Sequence, residues 1–195
     1  MGKKQWIYDI PDVAALQKEL KRERYNRRFR HILRSTINAL IVVAAIAALL
    51  ATLLLPVLQI AGTSMEPSLN DGDIVLLIKT EKLKTGDLCA FYFSNKILIK
   101  RIIGTPGDYL WINPDGTVYL NGTELSEPYL KEKALGECDI EFPYQVPENH
   151  YFMMGDHRET SIDSRSTVIG GIAEDQIIGK ILCKLLPLNQ FQWMA

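Results

Sequence analysis

Residues 37–69 read INALIVVAAIAALLATLLLPVLQI and then AGTSMEPSL, an apolar run that passes without a charge into a serine-bearing turn. No Asp, Glu, Lys or Arg occurs in residues 35–65, and residues 37–60 are long enough, as a helix, to cross roughly 30 Å of hydrocarbon. Cleaved leaders begin nearer the amino terminus and have apolar cores of only about 7–15 residues, so this run reads as a retained membrane span over residues 35–60.

Charge on either side of the run predicts its orientation. Residues 1–34 hold ten Lys or Arg and four Asp or Glu, a net of +6, whereas the remainder holds twelve basic and nineteen acidic residues, a net of −7. The positive-inside bias therefore puts residues 1–34 in the cytoplasm, as a basic and helical arm, and residues 61–195 on the far side of the membrane. The arginines of the arm are explained by topology and by anionic headgroups of the lipid bilayer, so no nucleic-acid partner is expected.

Beyond residue 61 the pattern changes from helical to extended. Residues 73–78 (DIVLLI), 88–93 (LCAFYF) and 97–103 (ILIKRII) predict three strands, the last two joined through Ser94-Asn95-Lys96. Residues 109–112 and 117–120 follow, linked by Asn113-Pro114-Asp115-Gly116, with Asn121-Gly122 closing the second. Residues 151–154 and 177–186 supply further strands, and residues 126–147 are less regular. The expected fold is mainly β: one amino-terminal transmembrane helix and a compact antiparallel β-domain of residues 61–195. Cys89, Cys138 and Cys183 match no zinc spacing and form no ligand set with His31, His150 and His157, so no structural metal is expected.

Three segments carry chemistry. Gly62-Thr63-Ser64-Met65-Glu66-Pro67-Ser68-Leu69 offers a serine at the membrane surface, and a serine nucleophile needs a base within roughly 2.6–3.2 Å. None of the histidines is well placed to be that base: His31 is on the cytoplasmic side, His150 precedes a plain strand and His157 sits in a polar loop. Lys100 is the better candidate. In an extended strand it shares a face with Leu98 and Ile102, and burial there favours the neutral amine. A solvent-facing Lys100 on an edge strand is the alternative, and Arg101, on the opposite face, fits a surface charge or an ion pair. The third segment, residues 155–165 (GDHRETSIDSR), is either a solvated loop or a set of side chains that orients the base.

Together these segments resemble the type I signal peptidases, membrane-bound serine proteases that remove signal peptides from exported proteins. The matching motifs are Ser64-Met65-Glu66-Pro67-Ser68-Leu69 with Asp71-Gly72-Asp73, then residues 100–108 (KRIIGTPGD), then Gly155-Asp156-His157-Arg158 through Ser161, Asp163, Ser164 and Arg165, in the family's order. The resemblance implies a Ser64 nucleophile, a Lys100 general base and Ser161 as its positioning hydroxyl. It also implies ion pairs among Asp156, Arg101, Asp163 and Arg165. Ile60, Met65, Leu69 and Ile99 would line shallow pockets for the small residues at the first and third places before the cut, beside which a substrate strand is added. No cofactor is implied; the partners would be signal-peptide-bearing preproteins, the bilayer and the export machinery. The single anchor resembles the compact Gram-positive form. Two positions depart from the pattern: Gly62 stands where some members have an oxyanion-binding serine, and His157 where asparagine is more usual.

Other classes make different demands. The self-cleaving SOS repressors share the serine–lysine chemistry but are soluble and begin with a DNA-binding domain, which residues 37–60 oppose. A membrane-tethered, non-catalytic β-domain that scaffolds export would not require both Ser64 and Lys100. A sortase-like transpeptidase would need a histidine and an arginine beside Cys183.

Overall fold

Pro56 divides the chain into its two parts. In the computed structural model, which describes residues 13–54, 56–187 and 190–194, one continuous helix, α1, spans Val13–Leu54. Residues 1–12 of the basic arm lie outside the described residues. At about 1.5 Å per residue the 42 residues of α1 extend about 63 Å, so the basic segment and the apolar run belong to a single rod. Leu16–Leu49 is long and apolar enough to cross a membrane, and none of the described side chains in its most apolar window is buried against protein. The helix stops at Leu54 rather than continuing to residue 60. Proline has no N–H to donate and its ring clashes with a preceding helical turn, and the residues beyond it enter a strand.

The second unit, from Leu54 onward, is β-structure. Its strands are β1 Val57–Gln59, β2 Ile74–Ile78, β3 Leu88–Phe93, β4 Lys96–Gly104, β5 Tyr109–Ile112, β6 Val118–Leu120, β7 Thr123–Glu124, β8 Tyr144–Gln145, β9 His150–Met154, β10 Ile172–Ala173, β11 Ile177–Leu186 and β12 Gln192–Trp193. A larger sheet runs β1-β2-β11-β3-β4-β9-β10, with β12 also on β11, and a smaller one runs β7-β6-β5-β8. Every pairing is antiparallel.

Period-two alternation sorts side chains of the same strand into different cores. Leu88 and Ala90 of β3 join Ile60, Met65, Leu69, Val75, Leu77 and Ile181, while Cys89 and Phe91 turn to a second cluster with Ile102, Tyr151 and Met153. Phe152 and Met154 of β9 point the other way, into a third cluster built on Leu110, Ile112 and Val118 of the small sheet. Burial on both faces accounts for the apolar runs at residues 88–91 and 102–103, whereas Tyr92 and Ile97 are exposed. Cys89, Cys138 and Cys183 are free thiols.

Candidate active site

The turn that carries Ser64 is held from both ends. Gly62 adopts φ +95°, a left-handed conformation that favours glycine, and its N–H donates to Asp71 Oδ1 at 2.7 Å. Glu66 N–H donates to the Thr63 carbonyl and Leu69 N–H to the Met65 carbonyl, winding residues 63–69 into a compact turn with Met65 and Leu69 in the core. The Ser64 carbonyl accepts from His157 N–H at 3.1 Å, which ties this turn to the loop at 155–165.

Lys100 lies on β4 opposite Cys89 of β3 and is 3% exposed, so its side chain is enclosed and does not face solvent. Its Nζ is 2.9 Å from Ser64 Oγ and 2.9 Å from Ser161 Oγ. Burial pushes this amine down from its ordinary 10.5 to about 8; the Asp163 carboxylate opposes the shift, Arg165 adds to it, and Asp156 opposes it again.

The hydrogen bonds beyond the lysine have a direction. Ser161 Oγ donates to Asp163 Oδ2 at 2.8 Å, so towards Lys100 the hydroxyl can present only a lone pair. A neutral amine therefore points an N–H at Ser161 and leaves its own lone pair for the Ser64 hydroxyl. Asp163 also accepts from Gly155 N–H and from two nitrogens of Arg165, at 2.8 to 2.9 Å. Burial works against the charge of Asp163, but the Arg165 and Gly155 contacts together keep its carboxyl below the usual range.

Gly155 sits where no side chain fits. A Cβ there would come within 2.2 Å of Ser161 Oγ and 2.6 Å of the Ser64 carbonyl oxygen. Beside it, Asp156 accepts two hydrogen bonds from Arg101, at 2.8 and 2.6 Å, and Arg101 also reaches the Gly86 carbonyl and Ser68 Oγ. Asp156 thus pairs with Arg101 and Asp163 with Arg165, and although Glu159, Thr160 and Ile162 are exposed, Asp156, Arg158, Ser161 and residues 163–165 are buried.

A cleft of about 220 Å³ opens beside Ser64 and Lys100, walled by Leu58, Ile60, Met65, Ile97 and Ile99. Of the four expected pocket residues, Ile60, Met65 and Ile99 reach this wall and Leu69 does not. One turn after Met65, Leu69 is wholly buried in the core beneath. Along β4, β9 pairs only with Arg101, Ile102 and Gly104, so among the described residues the edge from Lys96 to Lys100 has no ladder partner on that side.

Sequence reasoning missed the segment after Ser126. The Glu127 side chain is fully buried against Arg158, and Tyr129 lies under Arg101, its ring centroid 3.8 Å from the guanidinium carbon. The Ala134 and Leu135 carbonyls accept from Arg165, and Asp139 holds the backbone and hydroxyl of Thr167. A lone acid and a lone tyrosine in a polar loop carry no periodic signal, and the close packing of this segment shows only in three dimensions: a Cβ at Gly116 would strike the Ala134 backbone and one at Gly136 the Arg158 carbonyl.

Residues 33–186 match the family of signal peptidases, peptidase S26. The signal peptidase I of Bacillus licheniformis is 37% identical over 146 residues, covering 68% of this chain and 77% of that protein. Signal peptidase IB of Staphylococcus aureus strain MRSA252 is 35% identical over 154 residues, covering 69% and 79%. A crystal structure of a signal peptidase I from Enterococcus faecalis V583 is 30% identical with a TM-score of 0.44, covering 51% of this chain and 97% of that one. With the family matched over most of its length and an apolar helix that fits a membrane anchor, this chain belongs to the signal peptidase family, peptidase S26, and is a serine endopeptidase.

Proposed function

We propose that the chain removes amino-terminal signal peptides from exported preproteins with Ser64 as nucleophile and Lys100 as general base. The observation that carries this reading is the buried Lys100 amine within 2.9 Å of Ser64 Oγ. Lys100 takes the hydroxyl proton as Ser64 attacks the scissile carbonyl, and backbone N–H groups including that of Ser64 receive the oxyanion. The protonated lysine then gives its proton to the leaving amine of the mature chain. Water, deprotonated by the same lysine, attacks the acyl-enzyme and releases the signal peptide. Ser161 positions the amine, while Asp163 with Arg165 and Asp156 with Arg101 hold the site together.

The substrate enters as an added strand along the free edge of β4, a mode that main-chain hydrogen bonds favour. Its small side chains at the first and third places before the cut face the cleft walled by Ile60, Met65 and Ile99. Residues 1–34 form the cytoplasmic arm, the apolar part of α1 is the span, and the β-domain from residue 61 works on the extracytoplasmic side, receiving preproteins from the export machinery. Charge asymmetry supports this orientation.

The test uses detergent-solubilised protein and a precursor bearing Ala-x-Ala. Wild type is expected to cut after the second alanine and Ser64→Ala not at all. Cleavage by Ser64→Ala at a comparable rate would exclude the assignment, and equal cleavage of a precursor with a bulky residue at the third place before the cut would exclude the pocket.

A further inference from the structure

We propose that Tyr129 is a positioning residue for the Ser64–Lys100 pair, acting through Arg101 as the face that presses this guanidinium onto Asp156. The inference rests on the proposed Ser64–Lys100 chemistry and extends it into the irregular segment after Ser126.

Arg101 follows Lys100 directly in β4, so wherever its guanidinium is fixed the backbone of the base is fixed too. That guanidinium joins three pieces of the site: Asp156 of the loop, Ser68 of the serine turn and the Gly86 carbonyl before β3. Asp156 in turn stands between Gly155, which leaves room for Ser161, and His157, whose N–H holds the Ser64 carbonyl. Arg101 therefore controls the spacing between the strand of the base and both hydroxyls.

Two edges of the planar guanidinium are occupied by these hydrogen bonds, which leaves a face to be covered. The Tyr129 ring covers it, at 3.8 Å. The ring is itself tethered, because Tyr129 OH donates to Glu127 Oε1 at 2.8 Å, and Glu127 forms the buried ion pair with Arg158. Arg158 closes the circuit by donating through Nε to the Gly155 carbonyl at 3.2 Å. Tyr129 thus belongs to a ring of contacts running Gly155, Arg158, Glu127, Tyr129, Arg101 and Asp156.

Losing the ring face has an electrostatic consequence for the base. Water admitted beside Arg101 lessens the desolvation of Lys100, and an Asp156 carboxylate no longer fully engaged by Arg101 favours the ammonium form. Both effects make the amine harder to deprotonate. A residue serving only the stability of the loop would leave the titration of the base unmoved.

The experiment measures kcat, KM and pH profile of the full chain in detergent, on the Ala-x-Ala precursor, for Tyr129→Leu and Tyr129→Phe, with Ser64→Ala alongside. For Tyr129→Leu, kcat is expected to fall about tenfold with KM little changed, and the acid limb to move up by about half a pH unit. Tyr129→Phe keeps the ring and is expected to restore the position of the limb. Should Tyr129→Leu lose its fold, Tyr129→Met carries the same expectations. A wild-type kcat and limb in the ring-less variant, or equal shifts in the leucine and phenylalanine variants, would overturn the proposal. If Ser64→Ala stays active, it is the serine–lysine reading that fails; if Ser64→Ala is inert and Tyr129→Leu is normal, only the role of Tyr129 fails.

Discussion

Lys100 Nζ and Ser64 Oγ, 36 residues apart in the chain, lie 2.9 Å from one another in a site where the lysine is almost wholly buried. Replacing either should remove cleavage while leaving the domain intact. A loss of at least about a thousandfold in kcat is expected for Ser64→Ala and for Lys100→Met, as for nucleophile and base elsewhere. The check is cleavage of the Ala-x-Ala precursor, with circular dichroism to confirm folding.

The lowered amine sets a pH dependence. With its proton lost near pH 8, the Lys100 amine is free to take up the proposed role of base above that pH and is increasingly protonated below it. Activity should therefore rise with pH through about 8 and fall roughly tenfold per unit on the acid side. A profile flat down to pH 6 would contradict the role of Lys100.

The same shift affects stability. In the unfolded chain this lysine holds its proton up to its ordinary 10.5 and in the folded chain only to about 8, so the folded state is penalised below 8 and the penalty fades between 8 and 10.5. Lys100→Met should be more stable than wild type at pH 7 by on the order of 2 kcal/mol, with the gain vanishing by pH 10.5. Thermal midpoints across that range test it.

Gly155→Ala should reduce kcat by about a hundredfold through displacement of Ser161 from the amine, since the added Cβ would stand 2.2 Å from Ser161 Oγ. Steady-state kinetics with unchanged KM would support displacement of the base rather than obstruction of the cleft.

Asp163→Ala leaves Arg165 buried without its carboxylate partner. A destabilisation of about 3–5 kcal/mol is expected, read as a drop in denaturant midpoint. Asp163→Asn, which keeps an acceptor for Ser161, should lose less.

Much of this architecture was legible in the sequence because its causes are local. Alternation and turn residues located the strands at residues 88–93, 109–112 and 177–186, each within a residue or so of where it lies. Short strands such as Val57–Gln59, Tyr144–Gln145 and Ile172–Ala173 were not, because two or three residues cannot display a period and their pairing depends on a partner already in place. Gly62 looked like a missing hydroxyl; at φ +95° with its N–H bound to Asp71, it is the residue that lets the serine turn form.

By itself the sequence determined that an uncharged apolar run precedes a β-domain, and that a serine, a lysine among apolar residues and an acidic loop follow in the family's order. Those are matters of composition and spacing, which act at short range. Only the tertiary structure decided which face of β4 is enclosed, that Ser161 donates to Asp163 and so turns a lone pair to the amine, that Leu69 belongs to the core instead of the cleft, and that Glu127 and Tyr129 reach the site. Each of these depends on groups tens of residues apart meeting within about 3–4 Å, a proximity that packing and the antiparallel ladders create.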